Sequence, residues 1–139
     1  ETLAHIQSPR KGVVLGDMLE LGENSDDEHI GLAPHLREAN VSFVALVGEH
    51  MQALYQSLVG SGFSEKQLFW FSTPMEAAEF AKGFVRAGDT VLVKGSQGLR
   101  MEFVVQALLA QPELASELLC RQSLTWRRTA FSRPEEWVE

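Results

Sequence analysis

The residues with the most chemical capacity follow short apolar runs. Asp17 comes directly after Val13-Val14-Leu15-Gly16, and Lys94 directly after Thr90-Val91-Leu92-Val93, opening Lys94-Gly95-Ser96-Gln97-Gly98. A carboxylate at a strand end can accept hydrogen bonds from the vicinal hydroxyls of a ribose. An aspartate there can equally cap its own turn. Beyond Lys94, glycines permit close backbone approach, and free amides at the start of a helix can hold a carboxylate or phosphate. Ser96 or Gln97 could instead simply cap that helix. Gly48-Glu49-His50 and Ser72-Thr73-Pro74 follow two further apolar runs. Polar and small residues therefore collect where the runs end, a pattern that suits a polar ligand or plain loop ends.

Other chemistries are excluded by pattern. No G-x-x-x-x-G-K-[ST] phosphate loop, G-x-G-x-x-G fingerprint or G-x-S-x-G elbow occurs. His5, His29, His35 and His50 show no metal-ligand spacing with the single cysteine, Cys120, so neither a metal site nor an internal disulfide is expected. His29 reads as a packing or hydrogen-bonding residue. In Trp126-Arg127-Arg128 a packed ring beside solvated arginines fits better than an anion patch. No catalytic nucleophile is assigned. The formal charge of −7 argues against a nucleic-acid surface. It is concentrated in residues 1–70, with ten acids against four bases. No apolar run approaches the roughly 20 residues of a membrane span. The first ten residues do not resemble a signal peptide, and one thiol with no disulfide fits a cytoplasmic protein.

Positioning such a rim requires strands and helices in alternation. The runs at 13–15, 41–47, 68–71 and 90–93 are rich in Val, Leu and Phe without clean alternation, as strands buried on both faces are. Buried positions are expected at Val14, Leu15, Val44, Leu46, Leu68, Phe69, Leu92 and Val93. Between the runs, Ser25 with Glu28 forms a capping-box pattern before a helix reaching Asn40, with Pro34 a kink inside it. Residues 50–58 carry a stripe of Met51, Leu54, Tyr55 and Leu58, ended by Gly60-Ser61-Gly62. Thr73, Pro74 and Glu76 open a third helix, ended by Gly88. A fourth runs from about Leu99 to Ala110. This alternation predicts an α/β fold, a Rossmann-like parallel sheet with helices on both faces. Residues 1–6 read as the end of a helix that begins earlier. Residues 123–131 partly alternate and could add an antiparallel edge strand.

Val14-Leu-Gly-Asp-Met-Leu-Glu-Leu-Gly-Glu23, followed by Ser25 and His29, resembles the start of the C-terminal domain of the Mur ligases. Asp89-Thr-Val-Leu-Val-Lys-Gly-Ser-Gln-Gly-Leu-Arg-Met-Glu102 resembles a second segment of the same domain, V-K-G-S-R-G-x-x-M-E. The likeness is greatest to the members that add D-alanyl-D-alanine to a UDP-N-acetylmuramoyl tripeptide in peptidoglycan synthesis. It covers residues 1–110 and leaves 111–139 as an extension of unknown role. It implies ATP and magnesium as cofactors, bound mainly by central and N-terminal domains, with the C-terminal domain bringing the incoming dipeptide. By resemblance, Asp17 contacts the adenosine ribose, Lys94 and Ser96 lie at the incoming-substrate pocket, and Leu19 and Glu20 face the cleft. Gln97 stands where the family carries arginine, which removes a cation from that segment.

Two rival readings use the same residues. A free-standing receiver-like or small-ligand-binding module would pair Asp17 with Lys94, although a receiver carries clustered acids and its phosphorylated Asp on a middle strand, whereas Asp17 follows the first strand. A stand-alone small enzyme lacks a recognisable nucleophile or metal set.

Overall fold

A computed structural model describes residues 9–18, 25–95 and 99–109. The elements run β1 (Lys11–Gly16), α1 (Ser25–Ile30), α2 (Ala33–Glu38), β2 (Phe43–Val47), α3 (Met51–Gly60), β3 (Leu68–Phe71), α4 (Pro74–Phe84), β4 (Thr90–Lys94) and α5 (Glu102–Leu108). A short 3₁₀ turn, Glu65–Gln67, precedes β3. The strands lie in the order β3-β2-β1-β4, every pair parallel. Reversal of the order at β1 is the switch point at which open α/β sheets bind ligands.

Each face of the sheet carries its own core. Val13, Leu15, Val44 and Leu46 pack with Leu36, Met51, Leu54 and Leu58 of the α2–α3 layer. Val14, Ala45 and Val47 pack with Ala77, Ala81, Leu99, Met101 and Val104 on the opposite face. Alternation along β1 and β2 thus serves two apolar layers, which is why those strands read as unbroken apolar runs.

All four expected strands are present, and five of the eight expected core residues, Val14, Leu15, Val44, Leu46 and Leu68, are buried, with Phe69 and Val93 half-buried. Leu92 is the clear correction, at 44% exposed. It lies opposite Val13 in the β1/β4 register, on the α2–α3 face, and the strand residues packed into the core on that face belong to β1, β2 and β3. Its neighbours Val91 and Val93 turn to the other face, where α4 and α5 half-cover them. Phe69 is half-buried, against Phe80 and Phe84.

The helix expected over 25–40 is two helices. Gly31 and Leu32 separate α1 from α2, with Pro34 in the first turn of α2. Proline lacks the amide a helix interior needs, so it begins a helix more readily than it continues one. At α4, Thr73 Oγ1 accepts the Glu76 amide at 3.2 Å, the expected cap. Glu76 Oε1 accepts from the Ser72 hydroxyl at 3.1 Å. This helix stops at Phe84, before Gly88, which takes a φ of +92° in the turn into β4. The suggested edge strand at 123–131 and the side chains of Ser25 and Glu28 lie outside the described residues.

Candidate functional site

At the carboxyl end of β1 the ladder continues one residue past the strand. Asp17 donates its amide to Val47 O at 3.0 Å, and Gly48 donates to Phe71 O at 2.9 Å, so three strands end level. The Asp17 side chain then turns under the start of α3. Its Oδ1 accepts the Met51 amide at 3.0 Å, which caps that helix from a different strand. Among the described residues Oδ2 has no hydrogen-bond partner, and the residue is fully buried. Burial pushes the Asp17 carboxyl above its ordinary value. The His50 and Met51 amides and the His50 and His29 imidazoles offset part of that rise.

Gly48 makes this arrangement sterically feasible. A Cβ there would lie 2.4 Å from the Asp17 carboxyl carbon, and its φ of +107° suits glycine alone among ordinary residues. His29, also fully buried, accepts the Met18 amide on Nε2 at 3.0 Å. Its ring lies nearly parallel to that of His50, centroids 5.9 Å apart and planes 10° apart. Asp17, His29 and His50 therefore form one cluster joining β1, α1 and α3.

Lys94 ends β4 opposite Leu15, so it and Asp17 emerge on the same rim of the sheet. The Lys94 side chain is exposed. Gly95 packs onto Gly16, where a Cβ would come within 3.1 Å of the Gly16 Cα and 2.8 Å of the Met101 side chain. The backbones of the two rim segments thus touch. Ser96, Leu19 and Glu20 lie outside the described residues.

The rim holds two features that the sequence reading missed. One is the Gly48 cradle, whose only signal was a glycine immediately after Val47. The other is Arg100, which is buried with a left-handed φ of 60°. It pairs with Glu102 and stands over the Phe103 ring at 4.7 Å. Among the described residues no three His, Cys, Asp or Glu side chains are grouped to hold a metal ion, and no helix is long and apolar enough to cross a membrane. A groove of about 650 Å³ runs beside β4, lined by Arg86, Asp89, Val91, Val93 and Leu108. Neither Asp17 nor Lys94 lines it.

Together these features define an open, parallel α/β domain of the class that binds polar ligands at its strand ends. The pattern of one family, described as Mur ligase, glutamate ligase domain, matches residues 1–97, and the chain belongs to that family. It is 30% identical over 105 residues to the UDP-N-acetylmuramoyl-tripeptide–D-alanyl-D-alanine ligase of Rickettsia prowazekii, and 34% identical over 97 residues to that of Escherichia coli K12. These alignments cover 76% and 69% of the chain but 22% and 20% of the relatives, so the chain spans about a fifth of their length. Among solved structures, MurF from Acinetobacter baumannii superimposes with a TM-score of 0.61 at 30% identity, over 77% of this chain and 24% of that one. The MurF ligase of Thermotoga maritima in complex with ADP shares the fold, with a TM-score of 0.55 at 24% identity over 79% of this chain and 23% of that one.

Proposed function

We propose that the chain is the C-terminal domain of an ATP-dependent ligase that joins D-alanyl-D-alanine to UDP-N-acetylmuramoyl tripeptide in cytoplasmic peptidoglycan synthesis. The observation that carries this reading is the family match over residues 1–97, together with relatives whose names state that reaction. In that reaction ATP would supply the phosphoryl group that activates the precursor carboxylate, and magnesium would neutralise its phosphates. Both would be held mainly by domains outside this chain. Residues 111–139 are assigned no part in the reaction.

Within this reading the rim has two sides. Lys94 is the cation for the incoming dipeptide carboxylate. Its exposure supports that role, because no burial cost has to be overcome before a ligand reaches it. Ser96, Leu19 and Glu20 are placed beside it by resemblance. Asp17 belongs to the nucleotide side. Its Oδ2, without a hydrogen-bond partner among the described residues, is the carboxylate oxygen that would accept a ribose hydroxyl once the buried group is opened to the ligand.

The test is a ligation assay on the longest polypeptide encoded in frame with this chain. ADP release that requires both D-alanyl-D-alanine and the UDP-linked tripeptide is the expected result. Release that ignores the dipeptide would overturn the proposal. Residues 1–139 alone are expected to release no phosphate from ATP, because they contain no phosphate-binding loop.

A further inference from the structure

We propose that His29 is a positioning residue for the nucleotide side of the rim: its Nε2 lone pair holds the Met18 amide and so fixes the backbone at Asp17 and Met18 where the chain leaves β1. The proposal rests on the assignment of that rim to the nucleotide.

Asp17 and Met18 carry the first two amides beyond the strand. The Asp17 amide is held by Val47 O at 3.0 Å, as a continuation of the sheet. The Met18 amide is held by a side chain from α1, His29 Nε2, also at 3.0 Å. Among the described residues, the first two amides beyond β1 are therefore held by one backbone acceptor and one imidazole. Nε2 can accept only when it carries no proton.

The other contacts close a circuit. The His29 ring stacks on His50, the residue before Met51, and the Met51 amide is capped by Asp17 Oδ1. The Met18 amide, the imidazole pair, the start of α3 and the Asp17 carboxylate are thus linked in sequence. Among the described residues, the charged or titratable groups facing His29 are Asp17 from β1 and His50 at the start of α3, while Asp27 and Glu49 are exposed on α1 and before α3.

A histidine that only filled space could be replaced by any ring of similar size. A positioning histidine needs its acceptor. His29→Phe keeps a ring and removes the acceptor. His29→Gln loses the ring and returns an oxygen at about the reach of Nε2. In amide spectra of the 139-residue chain, the Met18 signal should move strongly in His29→Phe and stay near its original position in His29→Gln. In the in-frame ligase, His29→Phe should raise KM for ATP about fivefold, the effect of one hydrogen bond. KM for D-alanyl-D-alanine should change less than twofold, and His29→Gln should restore KM for ATP. A Met18 amide indifferent to His29→Phe overturns the proposal, as does a glutamine variant as impaired as the phenylalanine one. A shifted amide with unchanged KM for ATP also overturns it. Absence of dipeptide-dependent ADP release from the unsubstituted ligase is the separate result that removes the functional reading, and the nucleotide role with it.

Discussion

The carboxyl group of Asp17 lies against the Cα of Gly48, so close that a single added carbon on Gly48 would come within 2.4 Å of it. One strand ends in a buried carboxylate, and the neighbouring strand ends in the one residue type that leaves room for it. Gly48→Ala should therefore be costly twice over, through the clash and through a φ of +107°. The expected loss is on the order of 3 kcal/mol. Gly83 is the control, because it lies in α4 with open space around its Cα. Gly83→Ala should stabilise by about 0.5–1 kcal/mol through helix propensity. Urea unfolding of both variants checks the pair, and equal effects would remove the cradle argument.

Asp17 also predicts a pH dependence with a definite sign. Burial, the dominant influence, raises its carboxyl above the ordinary value of 3.8 in the folded chain. A raised carboxyl binds its proton more tightly folded than unfolded. Its contribution to stability is fully present below 3.8 and is lost as pH rises through the folded value. Asp17→Asn keeps an acceptor for the Met51 amide and does not titrate. Relative to the unsubstituted chain, this variant should gain stability as pH rises from below 3.8 to neutrality. A stability difference that stays flat across denaturation curves in that range would contradict the assigned burial effect.

Thr73 is a simpler case. Its hydroxyl accepts the Glu76 amide at 3.2 Å and is the side-chain cap of α4. Thr73→Ala should cost about 1 kcal/mol, and Thr73→Ser or Thr73→Asp should restore most of it. Thermal unfolding of the three variants at one pH measures this. A loss that serine and aspartate fail to recover would point to packing of the threonine methyl instead.

Leu92 and Leu46 separate two kinds of strand position. Leu46 is fully buried on β2, whereas Leu92 is 44% exposed on β4. Leu46→Ala should cost about 2–5 kcal/mol. Leu92→Ala should stay within about 1 kcal/mol, given the contact it lacks. Denaturant midpoints decide, and similar losses would mean that Leu92 is covered in solution.

The fold was legible because its signals are local and repeated. Four apolar runs separated by helical stripes and caps at Thr73 and Gly60-Ser61-Gly62 require only sequence-neighbour reasoning. Leu92 escaped because burial depends on how far a helix layer extends across a sheet, and no local pattern states that. The site was legible by position and less so by conformation. Gly16-Asp17 and Lys94-Gly95 do end parallel strands on one rim, as the runs suggested; that the two strands are adjacent is a finding of the structure. That Asp17 turns inward to cap α3 depends on Met51, thirty-four positions away, and on the space left by Gly48. His29 was readable as a hydrogen-bonding residue, but its partner, the Met18 amide, is a backbone group and leaves no trace in residue type.

Lys94 and Asp17 share a rim but not an environment, and that difference gives the most direct test of the site. Lys94 is exposed at the end of β4, and Asp17 is sealed at the end of β1. A change at Lys94 should therefore separate binding from folding, which a change at Asp17 cannot do. Lys94→Gln should leave the stability of the chain within about 0.5 kcal/mol, as surface changes do. In the in-frame ligase it should remove a charge-assisted contact with the dipeptide carboxylate, a loss of about 1.5–3 kcal/mol. That corresponds to a rise in KM for D-alanyl-D-alanine of about tenfold or more. KM for ATP should change much less, because the phosphates are assigned to the central domain. Lys94→Arg should recover part of the loss, since it keeps the charge in a different shape. The measurement is steady-state ADP release with each substrate varied in turn, alongside urea unfolding of the same variants. A variant that folds normally and keeps both KM values would reduce Lys94 to a solvated strand end. An equal rise in both KM values would instead assign it to closure of the ligase rather than to recognition of the dipeptide.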